Sequence, residues 1–139
     1  SAFYANLIFI IYIELTLMTK QIKTMAYDAH LAYRIQQVLE EQKVSFEAKR
    51  MFGGLCYMVD DKLCVGVMKD ALIARIEPAL SEQLLSQENC APLDKTGRSM
   101  KGFVLVPPIE VDMDADLENW VQRCLDFNPK ARRSKRKKQ

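Results

Sequence analysis

The chain has 139 residues, 49% of them hydrophobic and 27% charged, which gives room for one domain and excludes a disordered or collagen-like protein. Its net charge of +2 hides an asymmetry: acidic residues outnumber basic ones 17 to 11 between Met25 and Pro129, whereas Lys130 to Gln139 carries seven basic residues and no acidic one. An acidic body therefore ends in a basic tail, and electrostatic affinity for anions belongs to that tail.

The first 24 residues, SAFYANLIFIIYIELTLMTKQIKT, differ from everything after them. Their uninterrupted apolar run, Leu7 to Ile13, is broken by Glu14 and falls short of the roughly 20 residues of a membrane helix. A basic leader and a small-residue cleavage site are both missing, so the segment is a poor signal peptide. It reads as an extension to the domain, either engineered or strand-adding, with Asn6 to Leu17 as a strand joining a sheet edge or a neighbouring chain. Met25 is the more natural start of the domain.

Helical spacing of Tyr27, Leu31, Ile35, Val38 and Leu39 predicts a helix over 27–43, with Asp28 suited to capping its start. Phe46 to Phe52 reads as a strand that ends at a bend on Gly53-Gly54. Leu55 to Val59 and Lys62 to Val67 form a hairpin about Asp60-Asp61. Ala71 to Ile76 is the next strand, after a turn at Lys69-Asp70. Pro78 opens a helix, the segment from Asn89 to Gly102 is a polar loop turning at Thr96-Gly97, and Phe103 to Val106 is a short buried strand. A last helix starts within Asp112 to Asp116, whose carboxylates favour a helix N-terminus, and ends before Asn128-Pro129. The fold class is α+β: an antiparallel sheet of four to five strands, helices mainly on one face, in the order α-β-β-β-β-α-β-α. Residues 25–129 form the domain, and residues 130–139 a disordered basic tail.

Chemistry readings fare poorly against this outline. The cysteines Cys56, Cys64, Cys90 and Cys124 have no C-x-x-C spacing and fit free, buried thiols in a reducing compartment. With the turn at Asp60-Asp61, Tyr57 opposes Cys64 and Cys56 opposes Val65, so Cys56 and Cys64 lie on opposite faces and cannot share a metal or a disulfide. The same register gives one apolar core face of Cys56, Met58, Leu63, Val65 and Val67. MFGGL does not match a phosphate loop. The single histidine, His30, sits on the polar side of its helix with no partner in the pattern. Asp112, Asp114 and Asp116 are helix-start acids rather than a calcium loop. No cofactor, metal or catalytic constellation is expected.

Three separated motifs carry a family resemblance: MAYDAHLAYRI from Met25, KRMFGGLCYMV from Lys49 and TGRSMKGFVLV from Thr96, followed by the helical ADLENWVQRCL. Together they resemble the N-terminal domain of the TfoX/Sxy competence-regulator family over Met25 to Phe127. The resemblance implies a compact α+β domain, a bacterial cytoplasmic setting and no evident enzyme activity. Full-length members carry a second, helical C-terminal domain that has no counterpart here. The matching residues, Arg50 to Gly54, Gly97, Arg98 and Met100 to Phe103, are mostly explicable as turn and core residues.

Two functions stand beside each other. The first is a non-enzymatic regulatory module that contacts another protein or its own copy through the second sheet face, with Leu55, Tyr57 and Val59 as the interface. The second is non-specific nucleic-acid binding through Lys130, Arg132, Arg133, Lys135, Arg136, Lys137 and Lys138. A smaller candidate is an anion pocket of Arg50, Lys95, Arg98 and Lys101. No membrane partner is expected, and the setting is cytoplasmic.

Overall fold

The computed structural model describes residues 2–24, 27–87, 89–95 and 98–133. Four helices, α1 (Ala2–Thr24), α2 (Ala29–Glu41), α3 (Pro78–Ser86) and α4 (Asp114–Phe127), accompany six strands: β1 (Glu47–Met51), β2 (Gly54–Val59), β3 (Lys62–Met68), β4 (Ala71–Arg75), β5 (Ala91–Lys95) and β6 (Arg98–Val106). The strands form one sheet in the order β1-β2-β3-β4-β6-β5, antiparallel at every pairing. This is the expected α+β architecture, with one strand more than foreseen. The extra strand is β5: the segment read as a polar loop pairs back on β6 as a hairpin whose turn, Thr96-Gly97, lies outside the described residues.

Local signals account for most elements. Asp28 accepts hydrogen bonds from the backbone N–H of His30 at 2.9 Å and of Leu31 at 3.1 Å, which caps α2. The β2–β3 turn holds Asp60 and Asp61 at φ of 53° and 58°, the left-handed pair that a two-residue hairpin demands. Phe52 and Gly53, at φ of 58° and 72°, do the same between β1 and β2. Gly54 is not part of that turn. It lies in β2, where a Cβ would collide with the Val67 carbonyl oxygen of β3.

One residue of irregularity rearranges the sheet faces. Val59 and Met58 pair with Lys62 and Leu63 as expected, but the register shifts between Tyr57 and Met58. Tyr57 then pairs with Val65, and Cys56 with Gly66, rather than with Cys64 and Val65. Such a bulge leaves an extra residue on one strand and changes which side chains share a face. Cys56 and Cys64 remain apart in different clusters, but the supposed common core face is split. Val65 and Val67 belong to the core under the helices, whereas Cys56, Met58 and Leu63 lie in the cluster on the other side.

The main core joins Leu31, Ile35, Val38 and Leu39 of α2 and Leu117, Trp120, Val121 and Cys124 of α4 to Tyr57, Val65, Val67, Leu72, Val104 and Val106 of the sheet. Leu80, Leu84 and Leu85 of α3 pack against the same core. The second cluster contains no helix residue. Cys56, Leu63, Ile73, Leu93 and Phe103 are buried there beneath half-buried Met51, Phe52, Met58, Met68, Met100 and Leu105.

The extension is a helix, not the strand expected over Asn6 to Leu17. A β-branched run is compatible with either form, and length arbitrates. The 23 residues of α1 run far beyond an ordinary strand. Its large apolar side chains, Phe3, Ile8 and Tyr12 among them, are exposed. Among the described residues, no helix is long and apolar enough to cross a membrane.

Candidate functional site

The tail expected to be disordered begins as an ordered strap. After α4 the chain forms a short 3-10 turn, Asn128–Lys130. Asn128 is buried, and its Nδ2 donates to the Val59 carbonyl at 3.2 Å. Ala131 is buried too. The Arg75 guanidinium of β4 donates to the Arg132 carbonyl at 3.0 Å, and Arg133 reaches Asp60 in the β2–β3 turn at 2.9 Å. The start of the basic run, as far as Arg133, is therefore fixed across one end of the sheet, because one small apolar residue and the acidic turn give it something to bind. Lys135, Arg136, Lys137 and Lys138 lie outside the described residues.

This strap completes a cleft of about 330 Å³ lined by Arg75, Glu77, Lys101, Phe127, Lys130 and Arg132, together with Pro78 and Gly102. Arg75 ends β4, Lys101 and Gly102 come from β6, Glu77 and Pro78 begin α3, and Phe127 ends α4. Four cations and one carboxylate thus surround one cavity. Arg75 is held in place by its bond to the Arg132 carbonyl and by stacking 5.0 Å above the Phe103 ring. Burial pulls the Arg75 guanidinium below its ordinary pKa, and the neighbouring Cys64 acts in the opposite direction. The ion pairs among the described residues are Arg34–Asp114, Lys62–Asp60 and Arg133–Asp60, and none of them neutralises Lys101, Lys130 or Arg132. Gly102, at φ of +83°, lies within β6 on the cleft wall, and its carbonyl accepts from Ile76 N–H at 2.8 Å.

The anion pocket expected from the sequence is not assembled as drawn. Arg50 lies on β1 at one edge of the sheet, and β2, β3 and β4 separate it from the β6 of Lys101. Lys95 and Arg98 face each other across the β5–β6 pair, with side chains outside the described residues. Lys101 instead meets Lys130 and Arg132, which the sequence had placed in a separate nucleic-acid contact. Arg133 is turned to Asp60. No local pattern announces this cleft, since it draws on three separated segments, 75–78, 101–102 and 127–132; the nearest sequence signal is the acidic Asp60-Asp61 turn set against a basic tail that contains Ala131.

Leu55, Tyr57 and Val59, expected as an interface, lie on the helix-covered side of the sheet. Tyr57 is 1% exposed, packs edge-on against Phe46 at 5.4 Å and donates its hydroxyl to the Ala32 carbonyl at 2.8 Å. Leu55 and Val59 pack against the same helix-covered core. The bulge and the placement of the helices put this face inside, and among the described residues no helix packs on the methionine face.

A second cleft of about 410 Å³ runs between Met68, Ala71 and Leu105 on the sheet and Asn89, Cys90 and Pro108. It is largely apolar and holds no cluster of cations. The four cysteines are free and buried. Burial raises their thiols, to about 11 for Cys56 and about 12 for Cys64. Asp114 pairs with Arg34 at 3.1 Å and ties α4 to α2, and no group of potential metal ligands gathers among the described residues.

A family model, the TfoX N-terminal domain, matches residues 39–128. The chain belongs to the TfoX N-terminal domain family. The matched stretch takes in the end of α2, the whole sheet, α3 and α4, so both sheet faces and the apolar cleft lie within this TfoX domain, whereas Lys130 and Arg132 of the basic cleft follow just after the match. Neither the curated proteins nor the solved structures yielded a match.

Proposed function

We propose that this TfoX N-terminal domain is a cytoplasmic, non-enzymatic regulatory module that acts by binding a protein partner through the helix-free face of its sheet. The observation that carries the reading is the coat of Met51, Met58, Met68 and Met100, with Leu105, over the second apolar cluster. Methionine is unbranched and polarisable, adapts to irregular partners and recurs at adaptable binding surfaces. Family membership supports the regulatory role and is the ground for a competence and transcription setting within this proposal.

The reading is tested with a photoreactive amino acid placed at Met58 or Met100, and at the exposed Tyr33 of α2 as control. Covalent adducts in living cells are expected at the two methionine positions and not at Tyr33. An adduct of twice the chain mass identifies a second copy as the partner. Equal labelling at Tyr33, or none at Met58 and Met100, rejects this face.

A second reading, non-specific nucleic-acid contact through the tail, is favoured by the uncompensated charge of Lys130 and Arg132. Cations that neutralise phosphates give salt-sensitive, sequence-independent affinity.

A further inference from the structure

The cleft closed by the tail strap has features that neither reading above requires. Its cations come from three different segments, β4, β6 and the strap, and converge on one cavity. Lys101, Lys130 and Arg132 have no carboxylate partner among the described residues, whereas the adjacent Arg133 does. The N-terminus of α3 also forms part of the wall, at Glu77 and Pro78, and no side chain caps it. Such a helix start adds the positive end of the helix dipole to the same place.

Size and lining narrow the ligand. A cavity of about 330 Å³ is in the range of sites for small organic molecules and far exceeds a bare oxyanion. Phe127 and Pro78 supply an apolar wall that an inorganic ion would leave in water. Glu77, the one carboxylate of the lining, accepts hydrogen bonds and suits hydroxyl groups on the same ligand. We infer that the cleft binds a small organic phosphate of nucleoside-monophosphate size, its phosphoryl group on Arg75, Lys101, Lys130 and Arg132 and its ring against Phe127. Arginine offers a planar fork to phosphate oxygens and lysine a point charge, so the mixture suits a tetrahedral anion.

The test is calorimetric titration of the full chain at low salt with adenosine monophosphate, adenosine and inorganic phosphate. Saturable one-to-one binding of the monophosphate is expected, tighter than that of inorganic phosphate, with adenosine at least about tenfold weaker, since each charge-assisted contact is worth about that factor. Lys101→Ala and Arg132→Ala should each weaken the monophosphate about tenfold at unchanged thermal stability, because both side chains are exposed and the Arg132 carbonyl that holds Arg75 remains. Lys49→Ala, which removes an exposed cation on β1 away from the cleft and the strap, should leave affinity within about twofold. Absence of saturable binding by the wild type overturns the site, as does equal weakening by Lys49→Ala. Inorganic phosphate binding as tightly as the monophosphate overturns the organic ligand. The methionine-face reading stands or falls separately, through its own labelling experiment.

Discussion

The adjacent glycines Gly53 and Gly54 should respond to the same substitution by different mechanisms and to different extents. Gly53 needs its freedom for backbone reasons alone: φ is +72°, and a Cβ there would meet nothing within 4 Å. A left-handed alanine costs about 1–2 kcal/mol, and the stiffer unfolded chain returns roughly 0.4–1 kcal/mol of that. Gly53→Ala should therefore destabilise by about 1 kcal/mol. Gly54 is buried, with its added Cβ driven into the Val67 carbonyl and to 3.0 Å from Met68 Cα. Both obstacles are backbone and cannot swing aside, so β2 and β3 must separate. Overpacking costs about 1–3 kcal/mol even where side chains can adjust, and Gly54→Ala should reach about 3 kcal/mol or more. Urea unfolding followed by the fluorescence of Trp120, the sole tryptophan and 8% exposed in the core, measures both variants. A Gly54→Ala loss equal to or smaller than that of Gly53→Ala would refute the close approach of β2 to β3.

Tyr57→Phe removes the hydroxyl that donates to Ala32 at 2.8 Å and should cost about 1 kcal/mol by the same assay; a neutral result would mean that this bond does not stabilise the α2–sheet contact. Burial raises Cys56 to about 11 and Cys64 and Tyr57 to about 12, so the unfolded chain loses these protons first. The stability is complete below the ordinary thiol value of 9.0 and falls as pH rises through 11 to 12. A thiol reagent at pH 8 should accordingly react with the folded protein far more slowly than with the unfolded one, and full immediate reaction would contradict the burial. Asn128→Ala severs the bond to Val59 and should cost about 1 kcal/mol while speeding amide exchange at Ala131; unchanged exchange would show that Arg75 and Arg133 hold the strap alone. A chain ending at Arg133 keeps the strap and removes Lys135 to Lys138, so fluorescence anisotropy with mixed-sequence duplex DNA should show weaker, less salt-dependent binding than the full chain. Equal binding by both would exclude the distal cations.

What the sequence made legible was local. The Asp28 cap, the Asp60-Asp61 turn, the start of α3 at Pro78 and the helical spacing of Leu117, Trp120, Val121 and Cys124 each rest on a few neighbouring residues. The hydrophobic run of α1 carries no such local decision, since its β-branched residues suit a strand and its length suits a helix. β5 was hidden by Pro92 and by polar neighbours that read as a loop. The shift between Tyr57 and Met58 was invisible because a bulge is settled by packing across strands, and it reversed the reading of Leu55, Tyr57 and Val59. The basic cleft was only half legible. Its charges lie in two separate places of the sequence, and only the fold of the strap over β4 and β6 unites Lys101 with Lys130 and Arg132.

The two outer strands have a further consequence. On β1 every residue from Glu47 to Arg50 is exposed, and three of the four are charged; on β5 the outward course is interrupted by Pro92 and by the irregularity between Pro92 and Asp94. Arg50 thereby finds a role that the pocket denied it. Charge on one border and proline on the other discourage a foreign strand from extending the sheet. A chain with so apolar a sheet face would otherwise be open to strand-by-strand growth into fibres from its borders.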